Sequence, residues 1–203
     1  MQTRAILDKP DIVSREEEGH SIRGYGAVFY DGSPGTEFDM GGVRERIAPT
    51  AFDGIEGDDV RAFFNHNPSQ VLARTTSGTL RLSVDGRGLR YELDPPDTTL
   101  GRDLVELMQR GDVDGSSFMF DILEEEPPRR EDGVVIRTIT RVKLYEVGPV
   151  TMQAYEAAKS EARSINRYEN LYLQDQARNR LRLLEQRAHI QLSKLSARQA
   201  LGA

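Results

Sequence analysis

The chain contains no cysteine, which excludes disulfides, a thiol nucleophile and thiolate zinc sites. It has only three histidines, His20, His66 and His189, spaced too widely to suggest a histidine-built metal site. No apolar run approaches the roughly 18 residues of a membrane span, and the opening MQTRAILDKPD lacks the apolar centre of a signal peptide. Hydrolytic chemistry in a cytosolic setting, with no cofactor and no metal, is therefore the expectation. Proline is absent after Pro149, and from residue 157 onward Gly202 is the only glycine. That last stretch is instead dense in Leu, Arg, Gln and Ala.

What is present divides unevenly. The 203 residues suffice for one substantial core with an appendage. The net charge of −6 conceals a tail from Glu161 onward at +4 and a body at −10. An acidic body argues against general nucleic-acid binding, and a basic tail is suited to an acidic partner. The expected organisation is an N-terminal extension over 1–20, a main domain over 21–160 and a helical or coiled-coil tail over 161–203. In the tail Leu181, Leu184, Ala188, Gln191 or Leu192, and Leu195 approximate a seven-residue seam.

The main domain reads as sheet. SIRGYGAVFY is a glycine-interrupted strand, and DDVRAFFNH alternates, with Val60, Ala62, Phe64 and His66 on one side. GTLRLSVDGRGLRYELD reads as a hairpin turning at DGRG, and VVIRTITRVKLYEVGPVT as one or two long strands. One helix interrupts this pattern in PPDTTLGRDLVELMQRG, capped by Thr98 or Thr99 and ended by Gly111. The acidic EEEPPRREDG reads as an exposed loop.

Three places invite chemistry. His66 ends an apolar strand where asparagines and Pro68 turn the chain, a position equally suited to an ordinary surface imidazole. In GSSFMF, extended geometry puts Ser116 with Phe118 and Phe120, and Ser117 with Met119 and Asp121. If the phenylalanines enter the core, Ser116 is buried and the Ser117 hydroxyl turns to the accessible side; a plain GSS turn is the alternative. Glu146 shares parity with Val142 and Leu144, and a carboxylate on that apolar side needs a partner. The imidazole of His66 would serve, as would Arg137 or Arg141, and a solvated edge-strand glutamate is the remaining option.

Taken together, FFNHN followed by VLART, then LRLSVDGRGLRYELDPPDTTLGRDLVELMQRGDVDGSSFMF, then LYEVGPVTMQAY resemble the prohead (head maturation) serine proteases of tailed phages. The resemblance runs from about Gly24 to about Ser164. It implies a mainly β fold, an antiparallel assemblin-like β-barrel with flanking helices, here followed by the long helical tail. Its histidine after FN falls on His66, its serine before Phe in a G-x-S-F segment on Ser117, and its acidic residue on Glu146. Herpesvirus assemblins use a second histidine instead, for which only His20 and His189 are available. The chain departs from the family pattern at Ser116, at Met119 and in TMQAY, differences that bear on the substrate cleft.

The implied activity is endoproteolysis of the major capsid protein precursor and its scaffold segment, and of the protease itself, inside the immature capsid in the host cytoplasm. No nucleic-acid or membrane partner is implied, and the tail helix is a candidate homo-oligomer contact. A non-enzymatic capsid assembly or scaffolding protein retaining the same barrel is the alternative. A carboxylate-pair hydrolase built on Glu146 would need a second acid about 5–10 Å away, which no spacing suggests.

Overall fold

The computed structural model describes residues 1–6, 9–15 and 19–151, with isolated positions between 174 and 186. In chain order the strands begin with β1 (Gln2–Ile6), β2 (Asp11–Arg15), β3 (Gly19–Val28), β4 (Glu37–Asp39) and β5 (Val43–Ile47). They continue with β6 (Arg61–Phe63), β7 (Val71–Arg74), β8 (Leu80–Val84) and β9 (Gly88–Leu93). After helix α1 (Thr99–Arg110) come β10 (Gly115–Glu125), β11 (Arg129–Glu131) and β12 (Val134–Val150).

The 17-residue β12 is the spine of the larger sheet, long enough to take different neighbours along its length. It runs antiparallel to β10 on one edge. On its other edge it runs parallel to β5 over Val135–Ile139 and parallel to β6 where Glu146 meets Arg61. The strand path is β1-β10-β12-β5-β4, and a second sheet follows β2-β3-β9-β8. The expected antiparallel barrel is thus corrected to a mixed sheet curled into a half-barrel. The register between β10 and β12 shifts at three places, irregularities of the kind that bulges make.

Two further expectations change. Residues 1–20, set apart by sequence as an extension, supply β1 to the larger sheet and β2 to the smaller. The acidic segment expected as a loop includes a hairpin, with β11 pairing β12 around a turn at Asp132 and Gly133, both at positive φ. The tail expected over 161–203 lies outside the described residues except for isolated helical positions, which do not support a long helix.

One core joins the two sheets and α1. Ile22, Leu89, Tyr91 and Leu93 from the smaller sheet meet Phe118, Phe120, Leu144 and Val147 from the larger, with Leu104 and Met108 of α1. Phe118 and Phe120 stack at 4.6 Å, and Phe52 meets Phe118 edge-on at 6.0 Å. The helix begins and ends as its sequence suggests, with the Thr98 hydroxyl accepting from the Gly101 N–H and Gly111 in the left-handed conformation. The β8–β9 hairpin closes on Asp85, whose carboxylate accepts from the Arg87 and Gly88 N–H groups.

Gly148 shows how tightly β12 is packed. A Cβ there would lie 2.5 Å from the Phe63 carbonyl oxygen, a backbone atom that can yield only by moving β6. Gly148→Ala should therefore destabilise the domain by about 1–3 kcal/mol. In thermal unfolding followed by circular dichroism this corresponds to a Tm lower by about 3–10 °C; an unchanged Tm would show that β6 moves freely.

Candidate active site

Extended geometry in β10 divides the two serines between its faces. Ser116 lies on the phenylalanine side and its hydroxyl is 2.9 Å from the Tyr91 hydroxyl, wholly buried. Ser117 lies on the opposite face, as its parity requires, and its Oγ is 2.7 Å from His66 Nε2. That face is not the accessible one expected from sequence, because Ser117 is 0% exposed. Strand β1 pairs along this part of β10 with Ala5 opposite Ser117, and its Arg4 carbonyl meets the Ser117 hydroxyl.

His66 is not on a strand. Strand β6 ends at Phe63, and the chain then turns through Asn65 and His66, at φ +53° and +57° respectively. Left-handed backbone at a non-glycine residue costs of order 1 kcal/mol or more and persists where surrounding contacts impose it. Here those contacts are specific. The Asn65 N–H donates to the Pro149 carbonyl at 3.2 Å, and the Asn65 side-chain oxygen accepts from the Thr151 N–H at 2.8 Å. The turn is thereby tied to the end of β12, and its imidazole is held over the sheet, 23% exposed.

Glu146 reaches the same place by a break in alternation. Phe118 pairs with Val147 and Met119 with Glu146, but Phe120 pairs with Leu144, so Tyr145 is the extra residue. Paired residues share a face. Leu144 and Val147 therefore both face the core with the phenylalanines, whereas Glu146 is displaced onto the face of Met119 and Ser117. The parity argument that put Glu146 beside Leu144 is corrected by this bulge.

The carboxylate is 2% exposed, with Oε2 2.8 Å from His66 Nδ1. Its Oε1 is buried with no hydrogen-bond partner among the described residues. A buried carboxylate with one partner depends on that partner, since the alternative is an uncompensated charge. With Glu146 ionised, Nδ1–H donates to Oε2 and leaves Nε2 as the acceptor for the Ser117 hydroxyl. The chain of contacts can withdraw a proton from an otherwise weak nucleophile.

All three residues singled out by sequence are brought together. His20 is exposed in β3, opposite Ser14, and His189 lies outside the described residues. Among the described residues no group of three His, Asp or Glu side chains is arranged to hold a metal ion. Sequence reasoning missed Arg4, whose carbonyl oxygen accepts from Ser117 Oγ at 2.8 Å. It also missed Glu45, buried on β5, which takes the Arg4 guanidinium at 2.6 and 3.0 Å. An arginine in a short early segment and a glutamate in VRERI carry no local signal of either contact.

Comparison with known proteins adds three findings. The family described as Caudovirus prohead serine protease matches residues 9–171 of the chain. Among solved structures, the capsid assembly protease of bacteriophage T4 is similar at a TM-score of 0.42 and 14% sequence identity, over 74% of this chain and 99% of that one. No curated protein gives a significant match.

Proposed function

Because the chain belongs to the caudovirus prohead serine protease family, we propose that it is a serine endopeptidase that cleaves capsid and scaffold precursors, and itself, during prohead maturation. The observation carrying this reading is the continuous contact from Glu146 through His66 to Ser117, at 2.8 and 2.7 Å. Ser117 attacks a peptide carbonyl as His66 takes its proton, forming the Oγ–C bond. The leaving amine departs with that proton as the C–N bond breaks, and water then releases the acyl group by the same relay. Glu146 holds the imidazole in the required tautomer and supports its transient positive charge.

The protease unit is taken as residues 21–160 together with the N-terminal strands β1 and β2 that pair with it, and its work site as the interior of the immature capsid. The basic tail over 161–203 is assigned to partner contact or to removal by self-cleavage.

Treatment of the full chain with a fluorophosphonate, followed by peptide mapping, tests this directly. The adduct should form on Ser117 and on no other serine, and should disappear in a His66→Ala variant. The non-enzymatic assembly reading draws on one observation, the complete coverage of Ser117. It becomes the better account if the full chain incorporates into capsid assemblies yet leaves a co-expressed capsid precursor uncleaved.

A further inference from the structure

The covering of Ser117 has a definite form. Strand β1 runs antiparallel along the free edge of β10, with Gln2 to Ile6 opposite Phe120 to Ser116. An extended peptide adding to a sheet edge makes this same arrangement, drawing affinity from its backbone and specificity from alternate side chains. The Arg4 carbonyl faces the Ser117 hydroxyl, and the Arg4 side chain, projecting on the other face beside Phe118, reaches Glu45. One residue thus presents both a carbonyl to the serine and a cation to a buried acid.

The hydroxyl contact is not a productive one. Ser117 has a single hydroxyl hydrogen, and both His66 Nε2 at 2.7 Å and the Arg4 oxygen at 2.8 Å are placed to accept it. A hydroxyl that donates to a carbonyl oxygen is not transferring its proton to the base, and is aimed at the wrong atom for attack. While β1 stays in place it competes with His66 for the proton on which turnover depends. It also excludes any other peptide from the edge.

Beneath Arg4 lies a cluster of paired charges. Glu45, 0% exposed, is bonded to Arg4 and, at 2.8 Å, to Arg137, which also pairs with Glu125 at 2.7 Å. Arg4 and Arg137 offset Glu45 and Glu125 in this group. Removing Arg4 leaves the buried Glu45 carboxylate sharing Arg137 with Glu125, a site that selects a cationic side chain in its place. Arginine suits it better than lysine, since two of its nitrogens already engage the two carboxylate oxygens.

Building on the serine-protease reading, we propose that the β10 edge under β1 is the peptide-binding edge of the site. The chain's own residues 2–6 fill it as a tethered inhibitor, and Glu45 reads a basic residue whose carbonyl is presented to Ser117. The occupant it fits is an extended peptide with arginine at the Arg4 position and small or aliphatic residues following. Turnover requires that β1 first give way to that peptide.

The test uses full-length protein, the peptide QTRAIL corresponding to residues 2–7, and its analogue QTQAIL. In Arg4→Glu, which sets two acids against each other, β1 should leave the edge. Fluorophosphonate labelling of Ser117 should then be at least about tenfold faster than in wild type. By fluorescence anisotropy QTRAIL should bind Arg4→Glu at least about tenfold tighter than wild type, where the tethered strand competes at high effective concentration. QTQAIL should bind Arg4→Glu at least about tenfold more weakly than QTRAIL, and a further Glu45→Gln change should erase that difference. Arg4→Gln is the milder second variant if Arg4→Glu does not melt cooperatively.

Equal labelling and equal peptide binding in wild type and in a cooperatively folded variant would overturn the proposal and make β1 a permanent strand of the sheet, with the protease reading intact. Tight, arginine-dependent peptide binding with no labelling of Ser117 would do the reverse, keeping the peptide edge and removing the nucleophile.

Discussion

Ser117→Ala should lower cleavage of a capsid precursor by about 10⁴–10⁶-fold, the scale on which loss of a triad serine acts, while Ser116→Ala keeps turnover within about twofold. The contrast is sharp because the two hydroxyls are neighbours with opposite surroundings. Ser117 Oγ is within hydrogen-bonding distance of His66, the only described imidazole at the site, and no other described hydroxyl contacts that ring. Ser116 points into the core and bonds Tyr91, so its loss removes one buried hydrogen bond, worth about 1 kcal/mol of stability. Co-expression with the precursor, read by gel and by kcat/KM on a peptide substrate, distinguishes the two. Retained cleavage in Ser117→Ala, or its loss in a well-folded Ser116→Ala, would reverse the assignment of the nucleophile.

Much of this contrast was legible in advance, because alternation over GSSFMF needs no knowledge of the fold. Two phenylalanines two residues apart must share a face, and in an apolar strand that face is the core. The caps of α1 and the β8–β9 turn were readable for the same reason, since each is decided by residues within one turn of chain. The contact of Glu146 with His66 is one that the sequence offers on an argument that fails in detail. Period-two reasoning holds only while the register is unbroken, and the extra residue at Tyr145 reverses every face beyond it. A bulge depends on what the partner strand can pair with, and that information lies some 25 positions away in β10.

The parts that sequence did not reveal are all long-range. The parallel neighbours of β12 come from β5 and β6, which no local pattern assigns to a common edge. The left-handed turn at His66 is imposed by Asn65 bonding to Thr151 at the far end of the sheet. Strand β1 is five residues long, too short for a periodic signal, yet it brings the Arg4 carbonyl to the Ser117 hydroxyl. These are also the features that bring His66, Ser117 and Glu146 into contact. Family resemblance named the side chains, and tertiary contacts determine their geometry and access.

Glu146→Gln should reduce kcat by about 10²–10⁴-fold with KM little changed, and the protein should remain folded. Glu146 acts through His66 and not on the substrate, so it is a positioning residue, and its effect falls on the imidazole's tautomer. An ionised carboxylate accepts from Nδ1–H at 2.8 Å and leaves Nε2 free to receive the serine proton. The glutamine amide can instead donate to Nδ1, which moves the ring proton to Nε2 and presents a donor to Ser117. In a triad of this type the equivalent carboxylate-to-amide change costs about 10⁴-fold through that mechanism. Stability should hardly fall, because Oε1 of the wild-type carboxylate is already buried without a described partner and a neutral amide relieves the burial of charge. The pH profile separates positioning from packing: a tautomer defect lowers the whole rate and is partly relieved at high pH, where hydroxide can accept the proton, whereas a packing defect lowers Tm and leaves the profile's shape intact. Wild-type kcat in Glu146→Gln would show that His66 is oriented by its strained turn alone.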